Sequence, residues 1–328
     1  MRVLSGMRPT GKLHVGHLVG ALDNWVRIQN EGNECYYFIA DWHALTTNYD
    51  DISGIYEYTM DIIRTFIACG LDPDKSVIFV QSAIKEHAEL QLLFSMITPI
   101  GWLERVPTYK ELKQQLVNKD LSNLGFLGYP VLQAADILMY KPDGVPVGED
   151  QVYHVELTRE IARRFNYLYG EVFPEPKELL SHLPKLPGTD GRKMSKSYGN
   201  VIQIDITEKE LQEKVLRMMT DPARKRRSDP GDPAKCPVWD YHKAFGTTSS
   251  EKEYIINGCK TASIGCVDCK KILLNHMIER LRPIWQRLNE LKKDKDYVQQ
   301  VIKDGNEKAR TFAVETMKEV RKVMNLRF

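Results

Sequence analysis

The sequence predicts an α/β fold with a parallel sheet, followed by a mainly helical region. Short apolar runs that end in polar residues alternate with segments of helical periodicity up to about residue 170. This alternation is typical of a parallel sheet with helices on its faces. From Thr207 onward the chain has mainly helical periodicity, and no apolar run reaches the roughly 20 residues of a membrane span.

The composition is that of a globular protein without a strong overall charge. The chain has 328 residues, 42% of them hydrophobic, and a net charge of +2. This length suits one large domain or two of ordinary size. A nucleic-acid contact would need a local patch, for which the basic run 224–227 is the candidate, although a solvated loop explains it equally well. Because the N-terminus lacks signal-peptide features, we expect a cytoplasmic protein without a membrane partner.

The first apolar run leads through a Pro/Gly turn into a helix. Residues 4–21 read LSGMRPTGKLHVGHLVGA, which places His14, Gly16 and His17 at the start of that helix. Unpaired N–H groups and the helix dipole favour an anion there, and a glycine lets a flat ring or a phosphate approach. Two surface histidines at an ordinary helix start remain the alternative at this point.

Polar residues follow the later apolar runs. CYYFIA, from Cys35, ends at Asp41 and His43, and VPVGEDQ spans 145–151. Ligands of parallel α/β sheets bind beyond the carboxyl ends of the strands. We therefore expect Asp41 and His43 to lie near a site, with a loop-capping role as the alternative.

An apolar segment that reads YPVLQAADILMY, from Tyr129, predicts a helix with one carboxylate. Tyr129, Gln133 and Asp136 are spaced by four and three residues and share a helix face. A carboxylate on an apolar helix needs a polar partner, so this face is a candidate binding surface. A second helix is predicted from Lys110 to Leu121.

Four of the six cysteines, Cys236, Cys259, Cys266 and Cys269, are clustered in the sequence. In a cytosolic chain such a cluster indicates a metal site more than disulfides. Cys35 and Cys69 stand alone in apolar surroundings and are expected to be buried thiols.

Residues 193–197 read KMSKS, and we call residues 191–200 the KMSKS loop. Lysines and hydroxyls between two glycines suit a loop that folds over phosphates. Together with HVGH at 14–17, this loop resembles the signatures of class I aminoacyl-tRNA synthetases. PTGKLHVGH, DWHA, ADILMY and PVGEDQVYHVELTREIARRFN are similar to tryptophanyl-tRNA synthetases, and the resemblance covers essentially the whole chain.

This resemblance implies a Rossmann-like catalytic domain at 1–190, the KMSKS loop, and a helical tRNA anticodon-binding domain at 201–328 that carries the cysteines. It also implies a homodimer that activates L-tryptophan with ATP and charges tRNA(Trp). The implied catalytic residues are His14, His17, Lys113, Lys193 and Lys196. The implied ATP contacts are Arg8, Gly16, His17, Gly148, Asp150, Gln151, Lys193, Met194, Ser195, Lys196 and Ser197, with Mg²⁺ carried by the phosphates. The implied amino-acid contacts are Leu4, His43, Tyr129, Gln133, Asp136 and Gln151.

Two positions depart from the family pattern. Gln133 stands where many bacterial members have methionine, and Tyr-x3-Gln-x2-Asp is the amino-acid-binding pattern of tyrosyl relatives. Asp136 can accept a hydrogen bond from an indole N–H or from a phenol, so tyrosine specificity is the alternative. Arg8 replaces a usual glutamine, which affects the ATP contacts.

The spacing C-x22-C-x6-C-x2-C resembles that of a subset of these synthetases thought to carry an iron–sulfur cluster. We expect a [4Fe-4S] cluster, with Zn²⁺ as the alternative, because structural zinc sites usually use two C-x2-C pairs. We expect a structural role, so that Cys266→Ser leaves pyrophosphate exchange largely intact.

Two other functions compete with a synthetase. An HxGH nucleotidyltransferase that makes a small cofactor needs no KMSKS loop and no long helical region. The second is a nucleic-acid-binding or redox-sensing protein whose nucleotide-binding fold has lost its activity. Such a protein would not need both HVGH and the KMSKS loop to be intact. Amino-acid-dependent exchange of pyrophosphate into ATP separates all three.

Overall fold

The computed structural model describes residues 1–107, 121–180, 186–195 and 198–326, with the backbone alone for Asp150. Lys113, Lys196 and Ser197 lie outside these ranges, as does the predicted helix from Lys110 apart from its last residue. None of the helices in these ranges is both as long and as apolar as a membrane-spanning helix.

The strands of the described chain form one five-stranded parallel sheet with the order β3-β2-β1-β4-β5. The strands are Arg2–Met7 (β1), Glu34–Ile39 (β2), Ser76–Val80 (β3), Gly144–Val147 (β4) and Lys177–Leu180 (β5). The predicted parallel sheet is thereby confirmed, and β1, β2 and β4 match the apolar runs described above. We did not predict β5, because two of its four residues KELL are charged and none is fully buried.

The described chain contains thirteen α-helices. They are Val15–His17 (α1), Asp23–Asn30 (α2), Asp41–Asn48 (α3), Ile55–Ala68 (α4), Glu86–Ser95 (α5), Ile100–Glu104 (α6), Leu124–Met139 (α7), Val152–Tyr169 (α8), Glu208–Arg217 (α9), Pro237–Ala244 (α10), Ser249–Lys260 (α11), Cys266–Lys293 (α12) and Lys295–Val323 (α13). A π-helical turn, Leu18–Leu22, joins α1 to α2. Such turns are rare and often accompany functional sites.

The sheet is buried on both faces, as parallel sheets are. In β2 every residue after Glu34 is buried, and the ring of Tyr37 stacks on that of Trp25 with centroids 4.7 Å apart. Leu4, at the centre of β1, is 1% exposed. Cys35 is a buried thiol, as expected, whereas Cys69 at the end of α4 is half-buried.

The last helix, α13, covers the outer edge of β3. The backbone N–H of Val80 donates to Oδ1 of Asn306 at 2.9 Å, which satisfies a donor that an edge strand leaves unpaired. The preceding residue, Gly305, approaches β3 so closely that an added Cβ would lie 1.8 Å from the carbonyl oxygen of Ile78. Glycine is therefore required where this helix crosses the strand.

Substituting alanine for Gly305 is expected to destabilise the protein by about 3 kcal/mol, because the new methyl group overlaps backbone that cannot rotate away. Thermal unfolding followed by circular dichroism measures the effect. Gly101→Ala is the matched control, since a Cβ there meets nothing within 4 Å. Equal melting temperatures for the two variants would contradict the close approach.

The described chain divides into two compact units that are not continuous in sequence. The first comprises Met1–Gly11, Trp25–Ser181 and Asp294–Phe328, and the second comprises Lys12–Asn24 and His182–Lys293. The domains predicted from the sequence, 1–190 and 201–328, are each continuous in the chain. The compact units, in contrast, place α13 with the sheet and the HVGH segment with the KMSKS loop.

Candidate active site

In the second unit, the chain that leads into the first histidine pairs with the chain that follows the KMSKS loop. The N–H of Val15 donates to the carbonyl of Ile202 at 2.9 Å, and Nζ of Lys12 lies 2.6 Å from Oδ2 of Asp205. His14 and Gln203 form an antiparallel bridge between these contacts. The two signatures, far apart in sequence, are thus joined by backbone pairing.

The two histidines of HVGH are fixed by hydrogen bonds to each other's backbone. The N–H of His14 donates to Nδ1 of His17 at 3.1 Å, and the N–H of His17 donates to the carbonyl of His14 at 2.8 Å. The ring centroids are 3.8 Å apart. Because Nδ1 of His17 accepts a hydrogen bond, the ring carries its proton on Nε2, which makes that atom the donor.

Gly16 allows HVGH and the KMSKS loop to approach closely. A Cβ at Gly16 would lie 2.9 Å from Nδ1 of His14 and 3.3 Å from Sδ of Met194. The first distance is shorter than real Cβ contacts, so any larger residue would displace the His14 ring or the methionine. The predicted role of Gly16 beside ATP is compatible with this tight packing and stays a prediction.

Asn200 holds the KMSKS loop from its C-terminal side. Its Nδ2 donates to Oδ1 of Asp190 (2.7 Å) and to the carbonyl of Lys193 (3.1 Å), and its Oδ1 accepts from the N–H of Ser195 (2.8 Å). The Asn200 carbonyl accepts from the N–H of Thr189 at 2.9 Å. This buried side chain therefore fixes the backbone on both sides of Met194, while the side chain of Lys193 is exposed.

In the first unit, Asp136 lies at the centre of a buried network. Its Oδ2 lies 2.8 Å from Nε2 of His43 and its Oδ1 lies 2.5 Å from Nδ1 of His87. Nε2 of Gln81 lies 2.8 Å from both carboxylate oxygens. The other ring nitrogen of His87 is 2.8 Å from the hydroxyl of Tyr140. Asp136 is 1% exposed and all four of its acceptor directions are in use.

The network keeps Asp136 ionised. Burial acts to raise the pKa of this carboxyl, but the hydrogen bonds from His43 and His87 outweigh burial and bring the pKa below its usual value. The hydroxyl of Tyr140 can donate to Nε2 of His87, which leaves the Nδ1 proton of that ring for Asp136. The network thus provides a charged hydrogen-bond acceptor inside an otherwise apolar region.

The other predicted residues of this unit lie on the neighbouring elements. Tyr129 and the half-buried Gln133 share the Asp136 face of α7, and the Tyr129 hydroxyl lies 3.4 Å from Nε2 of His154. The N–H of Gln151 donates to the carbonyl of Gly148, which forms the turn between β4 and α8. Arg8 follows β1 and is exposed, and Leu4 lies in the sheet core.

Gln81 and His87 were missed, and Asp41 has another role. Gln81 directly follows β3, so the strand-end rule that selected His43 also applied to it. His87 gave no sequence signal beyond one imidazole among apolar residues of α5. Asp41 caps a turn, because its Oδ1 accepts from the backbone N–H groups of Trp42 and Ser82. The capping alternative therefore describes Asp41.

The four clustered cysteines occupy one neighbourhood of the second unit. Cys236 precedes α10, Cys259 lies near the end of α11, and Cys266 and Cys269 are in the first turn of α12. Burial and the three neighbouring thiols raise the pKa of Cys269 to about 12. Across the described residues, however, no group of three or more His, Cys, Asp or Glu side chains is already placed as an ion-binding set.

Arg224, the first residue of the basic run, is buried. Its Nη2 donates to the carbonyls of Arg227 (2.9 Å) and Ile264 (2.7 Å), and its Nη1 lies 4.0 Å from Sγ of Cys259. Arg224 therefore supports the cysteine region, and the run is not a uniform basic surface.

Comparison with known proteins identifies relatives over the whole chain. The family model of class I tRNA synthetases (W and Y) matches residues 1–282. A tryptophan–tRNA ligase of Thermotoga maritima is 68% identical over 328 residues and 100% of both chains. One of Aquifex aeolicus is 46% identical over 99% of this chain and 100% of its own. The tryptophanyl-tRNA synthetase of Campylobacter jejuni, solved with ADP and tryptophan, has a TM-score of 0.87 and 34% identity, with 99% of this chain and 100% of that chain covered.

Proposed function

Since the chain belongs to the class I tRNA synthetases of the tryptophan and tyrosine group, we infer that it works as a tryptophan–tRNA ligase. The enzyme activates L-tryptophan with ATP, which yields tryptophanyl-adenylate and pyrophosphate, and then transfers tryptophan to tRNA(Trp). The observation that carries this conclusion is the 68% identity, over the full length, to a tryptophan–tRNA ligase.

The Asp136 network is the part of the site that we assign to tryptophan. Indole has a single N–H and no acceptor, so it needs a buried acceptor, which the ionised Asp136 supplies. Gln81 contacts both carboxylate oxygens with one amide group. When tryptophan binds, Gln81 would keep its contact with one of these oxygens and release the other. We assign the indole N–H to the oxygen that Gln81 releases. The predicted neighbours His43, Tyr129 and Gln133 then line the same pocket.

We assign HVGH and the KMSKS loop, both in the second unit, to the phosphates of ATP. The reaction adds negative charge to the α-phosphate and to the departing pyrophosphate, so catalysis depends on positioned donors and cations. Nε2 of His17 is such a donor. We assign His14 to the same phosphates and Lys193 to the pyrophosphate. Lys113, Lys196 and Ser197 keep the roles predicted from sequence, and Mg²⁺ enters with the phosphates. Gly148, Asp150 and Gln151 remain predicted ATP contacts.

Amino-acid-dependent exchange of labelled pyrophosphate into ATP tests the function. We expect exchange with tryptophan and at least a hundredfold lower kcat/KM with tyrosine, because a phenol differs from an indole in size and shape and cannot place its donor at the same point relative to Asp136. Comparable exchange with tyrosine would overturn the tryptophan assignment. No exchange with any amino acid would overturn the reaction itself.

We also propose that Cys236, Cys259, Cys266 and Cys269 hold a [4Fe-4S] cluster, with Zn²⁺ as the alternative. The donor set supports a thiolate-bound metal. Four thiolates are a ligand set of both [4Fe-4S] clusters and structural zinc sites, and Cys236, Cys259 and Cys266 lie close enough to Cys269 to add to the rise that burial causes in its pKa. The cluster would crosslink the segments that carry its four ligands.

Metal and sulfide analysis of anaerobically purified protein decides between the two metals. We expect about four iron atoms and four acid-labile sulfides per chain, since a cubane takes one thiolate at each iron. One zinc atom per chain without sulfide would refute the cluster but leave a metal site. A protein that contains neither iron nor zinc would refute both the cluster and the zinc site.

We further propose a homodimer formed by the first unit. Apolar side chains are exposed on three helices, of which α7 packs against both α5 and α6. The exposed residues are Leu92, Met96, Ile100 and Leu124. A surface of this kind commonly marks an interface. Sedimentation of the wild type as a monomer at micromolar concentration would contradict the dimer.

The expected cytoplasmic location stays a prediction.

A further inference from the structure

A tight hairpin forms the start of the KMSKS loop. Pro187 and Lys193 form an antiparallel bridge, and the N–H of Gly188 donates to the carbonyl of Arg192 at 2.7 Å. Gly191 has φ = 79°, a conformation that glycine adopts readily. The position of this Pro187–Lys193 hairpin therefore sets where Lys193 and the loop after it begin.

One face of the hairpin rests on the helix that begins at the first cysteine. The buried Tyr241 of α10 donates its hydroxyl to the carbonyl of Pro187 at 2.7 Å. A Cβ at Gly191 would lie 3.1 Å from Cγ of Pro237, the residue directly after Cys236. Cys236 is thus one covalent bond away from a residue that packs against the hairpin.

A second connection runs from the last cysteine. Lys270, directly after Cys269, is 6% exposed, and its Nζ donates to the carbonyls of Leu216 (2.9 Å) and Met218 (2.6 Å). These carbonyls belong to the C-terminal end of α9. The next residue, Met219, donates its N–H to the carbonyl of Thr189, inside the hairpin, at 2.8 Å.

We propose that Tyr241 and Lys270 are positioning residues through which the four-cysteine site holds the KMSKS loop. The proposal rests on the metal inferred above for that site. A metal or cluster would fix Cys236 and Cys269 relative to each other, and with them the two supports of the hairpin. Without that crosslink, the side-chain contact that links α10 to the two cysteines of α12 in the described chain is the one between Nε2 of His242 and Sγ of Cys269, at 3.3 Å, which is weaker than a pair of metal–thiolate bonds. Displacement of Lys193 by an ångström is enough to weaken its contact with a phosphate.

This connection changes an expectation from the sequence. A purely local role for the cysteines predicts that pyrophosphate exchange survives their loss. The connections through Tyr241 and Lys270 instead predict that exchange falls while tryptophan binding is kept, because Asp136 and its partners belong to the other compact unit.

The test combines hydrogen–deuterium exchange with kinetics on the full chain. Tyr241→Phe removes only the hydroxyl, and Lys270→Met removes the charge at similar length. Each variant, and metal-depleted wild type, should show at least threefold faster deuterium uptake in peptides that contain residues 186–195. The kcat of pyrophosphate exchange should fall about five- to tenfold, with KM for tryptophan within twofold.

Tyr37→Phe is the matched control, because that buried hydroxyl also donates to a backbone carbonyl, of Trp25, at 3.1 Å. It should leave the 186–195 peptides unchanged. If the protein contains metal and Tyr241→Phe, folded and metal-loaded, leaves both deuterium uptake and kcat unchanged, the positioning role is overturned. If no metal is found yet Tyr241→Phe has its effect, the metal proposal fails and the link from metal to loop fails with it. The positioning role of Tyr241 then stands.

Discussion

Replacement of Asp136 by asparagine is expected to lower kcat/KM for tryptophan in pyrophosphate exchange by about 30- to 1000-fold, or roughly 2 to 4 kcal/mol. The carboxylate accepts from His43, Gln81 and His87. An amide keeps one acceptor oxygen and places an NH₂ group against donors. At least one buried donor then loses its partner, and the indole N–H has to compete for the single remaining oxygen.

The control for this substitution is Asp41→Asn. Asp41 accepts backbone hydrogen bonds from Trp42 and Ser82 through one oxygen, Oδ1, which asparagine retains. We expect kcat/KM within about threefold of wild type. If both variants lose activity equally, the Asp136 effect reflects disturbed folding of the first unit, and the recognition role is wrong.

The pH dependence of Asp136 has a definite sign. Its pKa in the folded protein lies below the usual value, so the carboxylate is ionised throughout neutral pH. Its contribution to stability is complete above the unfolded pKa of about 4 and is lost as the pH falls through the lower folded pKa. The loss in kcat/KM caused by Asp136→Asn should therefore be constant from pH 5 to 8. An inflection in that range that disappears in the variant would contradict the ionised state.

The sequence was sufficient for the parallel sheet, because each buried strand is a continuous apolar run that ends in polar residues. The same rule selected His43, which follows β2 and whose Nε2 lies 2.8 Å from Oδ2 of Asp136. It was not applied to Gln81, which ends β3 in the same way. His87 could not be found by this rule, since it lies inside a helix and is paired only through the fold.

Contacts between distant segments account for most of what the sequence did not show. In the sequence, Gly305 is only an unfavourable residue within a long helix. Its role depends on the carbonyl of Ile78, which lies too close to allow a side chain. Asn200 looks like the end of a loop, yet its side chain holds the backbone of Lys193 and Ser195. Neither role has a local signature, because the partner is supplied by another element.

Replacement of His17 by asparagine is expected to lower the kcat of adenylate formation by about 10²- to 10³-fold, the usual cost of losing one donor to a developing negative charge. The Nδ1 atom of His17 accepts from the N–H of His14, which leaves Nε2 as the donor. The amide oxygen of asparagine can take over the contact with His14, but its short side chain does not reach the Nε2 position. KM for tryptophan should stay within about twofold.

Glutamine at position 17 separates the donor role from the structural one. Its longer side chain brings an amide N–H close to the place of Nε2, at the expense of the contact with the His14 backbone. If charge on the phosphates is what His17 stabilises, His17→Gln should be at least tenfold faster than His17→Asn in single-turnover activation. If the contact with His14 matters more, the order reverses, and His17 acts by shaping the helix start. Equal melting temperatures for the two variants ensure that the comparison reports on the transition state alone.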